Sequence, residues 1–248
     1  MIRLSSHHAL GNDFLIRLEG EVDAAMARAL CDRRRGIGAD GLISIGPAPS
    51  GGAGGRPPQS RRWTLFNADG SRAESSGNGL RCSAQALARA KGVSELEVTF
   101  ETDAGPRRVQ LSGDVATVEM GPVTVQRLGE RDADVDVANP HLVLLVDDPS
   151  SVDLLALGRQ HPDVNVEVIA VAEPDALAFR VHERGAGITE ACGTGSCAAA
   201  AAAHAWGLVG PAVVVHNPGG DVTVELKDGA ALLTGETRWI ADVETSWP

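Results

Sequence analysis

The stretch ESSGNGLRC, residues 74–82, has a counterpart in EACGTGSC, residues 190–197, and this internal repeat constrains the chain more than any other feature. Each copy runs acid, spacer, then Ser76 or Cys192, then Gly-x-Gly, then a cysteine a few residues on. The likeness extends backwards, because Asn67 and Glu183 each lie nine residues before Ser76 and Cys192, with Gly70 and Gly185 soon after them. It extends forwards as well. GNGLRCSAQALARAKG and GTGSCAAAAAAHAWG both carry helical patterning and both stop at a glycine, Gly92 or Gly207, as helix C-termini often do. The second is apolar nearly all round, the mark of a helix buried on every side. Chance recurrence of Gly-x-Gly in a glycine-rich chain explains neither the shared acid nor the equal spacing. The repeat predicts two like units, each built as strand, polar loop, reactive residue, Gly-x-Gly turn and buried helix. The divide falls near Gly113–Gly121, giving units of 1–116 and 117–238, with 239–248 returning to complete the first.

Short β-type runs fill most of the rest, among them LEVTFET, RRVQLSG, VATVEMG, HLVLLVDD, VNVEVIAVAE, AVVVHN and DVTVELKD, separated by turn residues. A further amphipathic stretch, DAAMARALCDRR, predicts a surface helix over 23–34. The Pro-, Gly- and Ser-rich segment Pro47–Arg62 is expected to be an exposed loop and not a domain linker, since WTLFNADG resumes a strand pattern at once. Strands in the majority with a few helices give an α+β class, and 248 residues are enough for two cores.

A formal net charge of -11 argues against nucleic acid and anionic membranes, which select basic faces. No run approaches the roughly 20 apolar residues that span a bilayer. The opening MIRLSSHHALGNDF lacks the apolar core of a secretory signal. Four cysteines, Cys31, Cys82, Cys192 and Cys197, suit a reduced cytoplasmic protein better than a disulfide scaffold, and their spacing is not that of a metal finger.

A residue at the start of a helix faces unpaired backbone N–H groups and the positive end of the macrodipole. Such a site seats a carboxylate and lowers a thiol pKa from about 8.5 toward neutrality. Two helix starts of this kind, each aiming an ionisable side chain at one carboxylate ligand, could remove a proton from one face of a carbon and return one to the other. Cys192, followed by Gly-Thr-Gly, is the candidate acid/base. Cys82 and Cys197 fall inside the helices and are expected in the core.

The chain resembles the diaminopimelate epimerase family. The matching pieces are GNDF (11–14), RRRGIGADGL (33–42), NADGS (67–71), GNGLRC (77–82), ANPHLV (138–143), VNVE (164–167), ERGAGITEACGTGSCA (183–198) and PGGDVTVE (218–225), in the family's order. The resemblance implies two similar mixed α/β domains, each a curled sheet around a central helix, with the active site in the cleft between them. It implies a cytoplasmic homodimer that epimerises LL- to meso-diaminopimelate without cofactor or metal. By position it implies that Asn12, Asn67, Asn139 and Asn165 hydrogen-bond the substrate and that Arg184 pairs with its distal carboxylate. Gly77-Asn78 and Gly193-Thr194 are then the N–H donors to the reacting carboxylate, with His141 and Glu183 tuning the ionisation of the reactive pair and Glu183 also contacting the substrate. Taken alone, the four asparagines also suit turn and cap duty. Gly41 stands where some members carry Gln.

Ser76 is the main departure, because the family's pattern has its first catalytic cysteine there. A serine hydroxyl is far less acidic than a thiol, and no separate base is visible in the sequence. Three readings stay open: a substitution that disables turnover, slow use of Ser76 or of a water it positions, or a chain turned to another amino-acid racemase or dehydratase reaction or to binding alone.

Overall fold

The computed structural model describes residues 1–48 and 59–246, so most of the segment expected as a loop, 49–58, lies outside the described residues. The chain divides into two compact units, one of Met1–Val118 with the stretch from Glu236 onward, the other of Glu119–Gly235. Both are mixed sheets holding a helix.

The first unit contains β1 (Ile2–Ala9), β2 (Asn12–Arg17), α1 (Ala24–Leu30), β3 (Gly41–Pro47), β4 (Ser60–Asn67), β5 (Arg72–Ala73), α2 (Gly77–Lys91), β6 (Glu95–Thr102), β7 (Gly105–Ser112) and the first half of β8 (Val115–Pro122), the boundary falling after Val118. The second contains β9 (Thr124–Leu128), β10 (Asp132–Asp136), β11 (Pro140–Leu145), α3 (Leu154–Gln160), β12 (Asn165–Glu173), β13 (Ala176–Glu183), β14 (Gly187–Thr189), α4 (Gly193–Ala205), β15 (Ala212–Asn217), β16 (Gly220–Lys227) and β17 (Ala230–Glu236). The last strand, β18 (Arg238–Thr245), pairs with β1.

Strand pairing shows that the repeat covers whole units. In the first, β1 pairs with β2, β2 runs parallel to β3, β3 pairs with β4, β4 runs parallel to β6, and β6 pairs with β7. In the second, β10, β11, β12, β13, β15 and β16 pair in the same succession, with parallel steps at β11–β12 and β13–β15. Even the short strands correspond: β5 folds back on β4 as β14 does on β13, and β18 flanks β1 as β9 flanks β10.

In each unit the sheet curls round its helix. α2 lies against strands from β18 and β1 across to β7, and α4 against strands from β9 across to β16. α2 buries Leu80 and Leu87, each worth about 1.5–3 kcal/mol when fully removed from water. α4 buries six consecutive alanines, Ala198–Ala203, whose small side chains let the helix sit close to strands on all sides. Gly92 ends α2 in the left-handed conformation at φ 66°, which its missing Cβ permits.

The surface helix is shorter than its periodicity predicts. It stops at Leu30 because the Asp32 side chain accepts the N–H groups of both Arg34 and Arg35, turning the chain away. Its C-cap, Cys31, is buried in the core with Leu15 and Leu42. No helix among the described residues is long and apolar enough to cross a membrane.

Candidate active site

Ser76 and Cys192 are the N-caps of α2 and α4, in nearly the same backbone conformation: φ -151°, ψ 119° for Ser76 and φ -132°, ψ 116° for Cys192. Ser76 Oγ accepts the Gly79 N–H at 3.1 Å, and Cys192 Sγ accepts the Gly195 N–H at 3.3 Å. The second glycine of each turn is there for room. A Cβ on Gly79 would stand 3.3 Å from the Ser76 Cβ, and one on Gly195 would stand 3.3 Å from the Cys192 Cβ.

Sheet register extends this equivalence to the surroundings. Phe14 of β2 is level with Gly41 of β3, and His141 of β11 is level with Asn165 of β12. Two residues earlier stand Asn12 and Asn139, each preceded by a left-handed residue, Gly11 at φ 84° and Ala138 at φ 63°. Two residues after Gly41 and Asn165 stand Ile43 and Glu167, beside Gly79 and Gly195 respectively. Gly41 faces Asn67 across β4, and by the same register Asn165 faces Glu183. The repeat thus sets Phe14, Ile43, Asn67 and Ser76 in one unit against His141, Glu167, Glu183 and Cys192 in the other. Every one of these four positions is neutral in the first unit, while the second carries titratable groups at all four.

Around Cys192 those groups are closely coupled. Glu183 accepts from the Thr189 hydroxyl at 2.5 Å, and burial drives its carboxyl pKa up. His141 Nδ1 lies 2.7 Å from Glu167 Oε1 and Nε2 lies 2.9 Å from Asn139 Oδ1. Asn165 is spent on the chain itself: its Oδ1 accepts the Arg184 N–H at 2.9 Å, and its Nδ2 donates to the Pro140 carbonyl at 3.3 Å. The Arg184 guanidinium is exposed and donates to the Asp163 carbonyl at 3.4 Å.

The sequence expectation for the Cys192 thiol is reversed. Burial pushes its pKa well above the usual thiol value, reinforced by the charges of Glu183 and Glu167, while the Thr194 hydroxyl and the Gly195 N–H pull it down less strongly. A helix N-terminus lowers a thiol pKa when other charges are distant. Here two carboxylates and desolvation outweigh it.

In the first unit, Asn12 Oδ1 accepts from Asn78 Nδ2 at 3.2 Å, and Asn78 Oδ1 accepts from Arg81 at 2.6 Å. Asn12 Nδ2 donates to Asp40 Oδ2 at 2.8 Å, and Arg33 binds both Asp40 and Asp13. Asn67 is exposed at the end of β4 and does turn duty, its Nδ2 donating to Ser71 Oγ at 3.0 Å. Cys82 and Cys197 are fully buried, and burial pushes the Cys82 thiol up to about 12.

A family model described as diaminopimelate epimerase matches residues 4–126 and 134–240. The chain belongs to the diaminopimelate epimerase family. A diaminopimelate epimerase of Mycolicibacterium vanbaalenii is 38% identical, with 99% of this chain and 98% of the relative covered. One of Synechocystis is 37% identical, with 96% of each chain covered. Among solved structures, a hydroxyproline epimerase of Agrobacterium vitis aligns with a TM-score of 0.75 at 18% identity, covering 98% of this chain and 91% of the other. A phenazine biosynthesis protein of the PhzF family from Enterococcus faecalis aligns with a TM-score of 0.75 at 14% identity, covering 99% of each. At those identities the structural likeness shows the fold.

Within this epimerase family framework, Ser76 occupies the N-cap that the sequence resemblance assigns to a cysteine. Sequence reading missed Glu167, which is fully buried, and the Asp13–Arg33–Asp40 cluster behind Asn12. Glu167 had a signal: it is an acid on the same strand face as Asn165, within a run otherwise built from Val, Ile and Ala.

Proposed function

We propose that this protein is a cofactor-independent amino-acid epimerase that converts LL-diaminopimelate to meso-diaminopimelate, with Cys192 as one acid/base and Ser76 in the place of the other. The observation that carries this reading is the matched N-cap geometry of Ser76 and Cys192 in the two repeats of a diaminopimelate epimerase family chain. Inversion at an α-carbon needs one group to remove a proton and a second to return one from the opposite face. The N–H groups at the start of each helix, Gly77-Asn78 and Gly193-Thr194, are donors suited to the α-carboxylate. The neutral amides Asn12, Asn67, Asn139 and Asn165 offer donor and acceptor together to the distal ammonium and carboxylate once they exchange their bonds within the chain for the substrate, and the Arg184 fork suits that carboxylate.

The raised thiol sets the resting state. Cys192 carries its proton, so it is poised as the acid, and once ionised it is a stronger base than an ordinary thiolate. Ser76 lacks any such help from its own unit, where Phe14, Ile43 and Asn67 stand at the corresponding positions. Turnover is therefore slow compared with a paired-thiol enzyme, and the Ser76 side limits it. The family resemblance extends the proposal to a cytoplasmic homodimer.

The test is conversion of pure LL-diaminopimelate to the meso isomer, followed by chiral separation, alongside calorimetry with each isomer. Slow conversion that disappears in Cys192→Ala supports the proposal. Tight binding with neither conversion nor α-hydrogen exchange overturns it in favour of a binding protein.

A further inference from the structure

Glu167 costs the fold free energy at a place where the fold does not need it. Its side chain and that of His141 have no exposure to solvent, and Glu167 Oε2 has no hydrogen-bond partner. A buried carboxylate oxygen without a partner is destabilising, and apolar pairs of similar size usually fill such positions as well or better. The other unit provides the comparison within the same chain: the equivalent positions on β2 and β3 hold Phe14 and Ile43, both buried and apolar. Glu167 Oε1 also lies against the start of α4, where a Cβ on Gly195 would come within 2.7 Å of it. A carboxylate kept there at a cost has work to do at the Cys192 end of the helix.

We infer that Glu167 is a positioning residue of the Cys192 site, which holds the proton of His141 on Nδ1 and through that ring anchors the Asn139 carboxamide. An ionised carboxylate only accepts, so Nδ1 must donate to it. Nε2 is then directed at Asn139, 2.9 Å away. With both protons on the ring, Nε2 holds the carboxamide oxygen; with one, it holds the amide nitrogen. In both cases the ring and the carboxamide are ordered from Glu167 outward, and the left-handed turn at Ala138 brings Asn139 to the same point of the repeat as Asn12. Fixing a tautomer in this way orders a histidine beside the reactive residue by the same logic that a buried aspartate uses in hydrolase triads.

The inference rests on the proposed epimerase reading for its kinetic part only. The first variant is Glu167→Gln, which keeps shape but can present either an oxygen or an NH2 to His141. Nitrogen-15 spectra of the His141 ring are expected to show the proton on Nδ1 in the parent and a mixed or inverted tautomer in Glu167→Gln. For diaminopimelate, kcat/KM for α-hydrogen exchange should fall roughly 10–100-fold, the usual effect of losing an ordering partner behind a functional histidine. The second variant is the double substitution His141→Phe with Glu167→Ile, which transplants the first unit's own pair. It should match or exceed the parent's Tm while losing exchange.

A parental tautomer and parental kcat/KM in Glu167→Gln would overturn the inference. So would a double variant whose Tm falls well below the parent's, since Glu167 would then be structural. If the parent itself neither exchanges nor epimerises diaminopimelate, the functional reading fails, and the ring spectra still decide the role of Glu167.

Discussion

Replacing Ser76 with cysteine should raise epimerisation strongly while lowering stability slightly. The turn beside Ser76 already matches the one beside a thiol: a Cβ added at Gly79 would stand 3.3 Å from the Ser76 Cβ, as one at Gly195 would from the Cys192 Cβ. The Gly79 N–H that Ser76 Oγ accepts at 3.1 Å is placed as the Gly195 N–H is for Cys192 Sγ at 3.3 Å. What changes is acidity. A thiol ionises near 8.5 and can exchange protons near neutrality, whereas an alcohol cannot without a dedicated base. Properly matched acid–base partners contribute on the order of 10²–10⁴ in rate, which corresponds to about 2.7–5.5 kcal/mol of barrier. Serine is the better helix N-cap, so the exchange should cost up to about 1 kcal/mol of folding free energy. The assay is the initial rate of LL-to-meso conversion by chiral chromatography, with Tm measured on the same samples. A folded Ser76→Cys protein whose rate is unchanged or lower would refute the reasoning, because the matched caps would then not be matched acid–base positions.

Other outcomes follow from the same geometry. Cys192 should resist iodoacetamide at pH 7–8 and react only at distinctly alkaline pH, because burial, Glu183 and Glu167 hold its thiol protonated; rapid labelling at neutral pH would contradict this. His7 is buried, and desolvation lowers its pKa from 6.5 to about 4. Between those values the unfolded chain binds a proton that the folded chain does not, so this stability is present above pH 6.5 and is lost as pH falls toward 4. The loss is roughly 3 kcal/mol, should appear in urea unfolding, and should vanish in His7→Phe. Gly195→Ala should be the more damaging of the two turn glycines: its Cβ meets Glu167 Oε1 at 2.7 Å, whereas a Cβ on Gly79 meets Ile43 Cδ1 at 3.1 Å. A lost Tm of equal size in Gly79→Ala would argue that the Glu167 contact is unimportant.

The two helix starts were legible because the signals that make them are local: a capping side chain, glycines for close approach, and an apolar run after them. The α+β class followed from the many short β-type runs. Several strands were not legible. β1, IRLSSHHA, has polar residues where alternation should show, because His7 and Ser6 are buried through hydrogen bonds or packing that sequence does not display. β17, AALLTGE, carries no β-branched residue before Thr234. Equivalent positions of the two repeats, such as Phe14 and His141 or Ile43 and Glu167, could be matched only once the strands within each unit were paired. The direction of the Cys192 shift was likewise hidden, since it depends first on how deeply the thiol is buried and then on Glu183 and Glu167 lying close to it in the fold.

The most direct measurement is loss of the α-hydrogen in deuterated water, started separately from LL- and from meso-diaminopimelate, with mass and chirality of the recovered amino acid read together. The account predicts that one isomer returns deuterated faster than inverted product accumulates, because Cys192 works while the Ser76 side lags, and that Cys192→Ala abolishes this exchange. Exchange that survives in Cys192→Ala, or no exchange from either isomer, would contradict it.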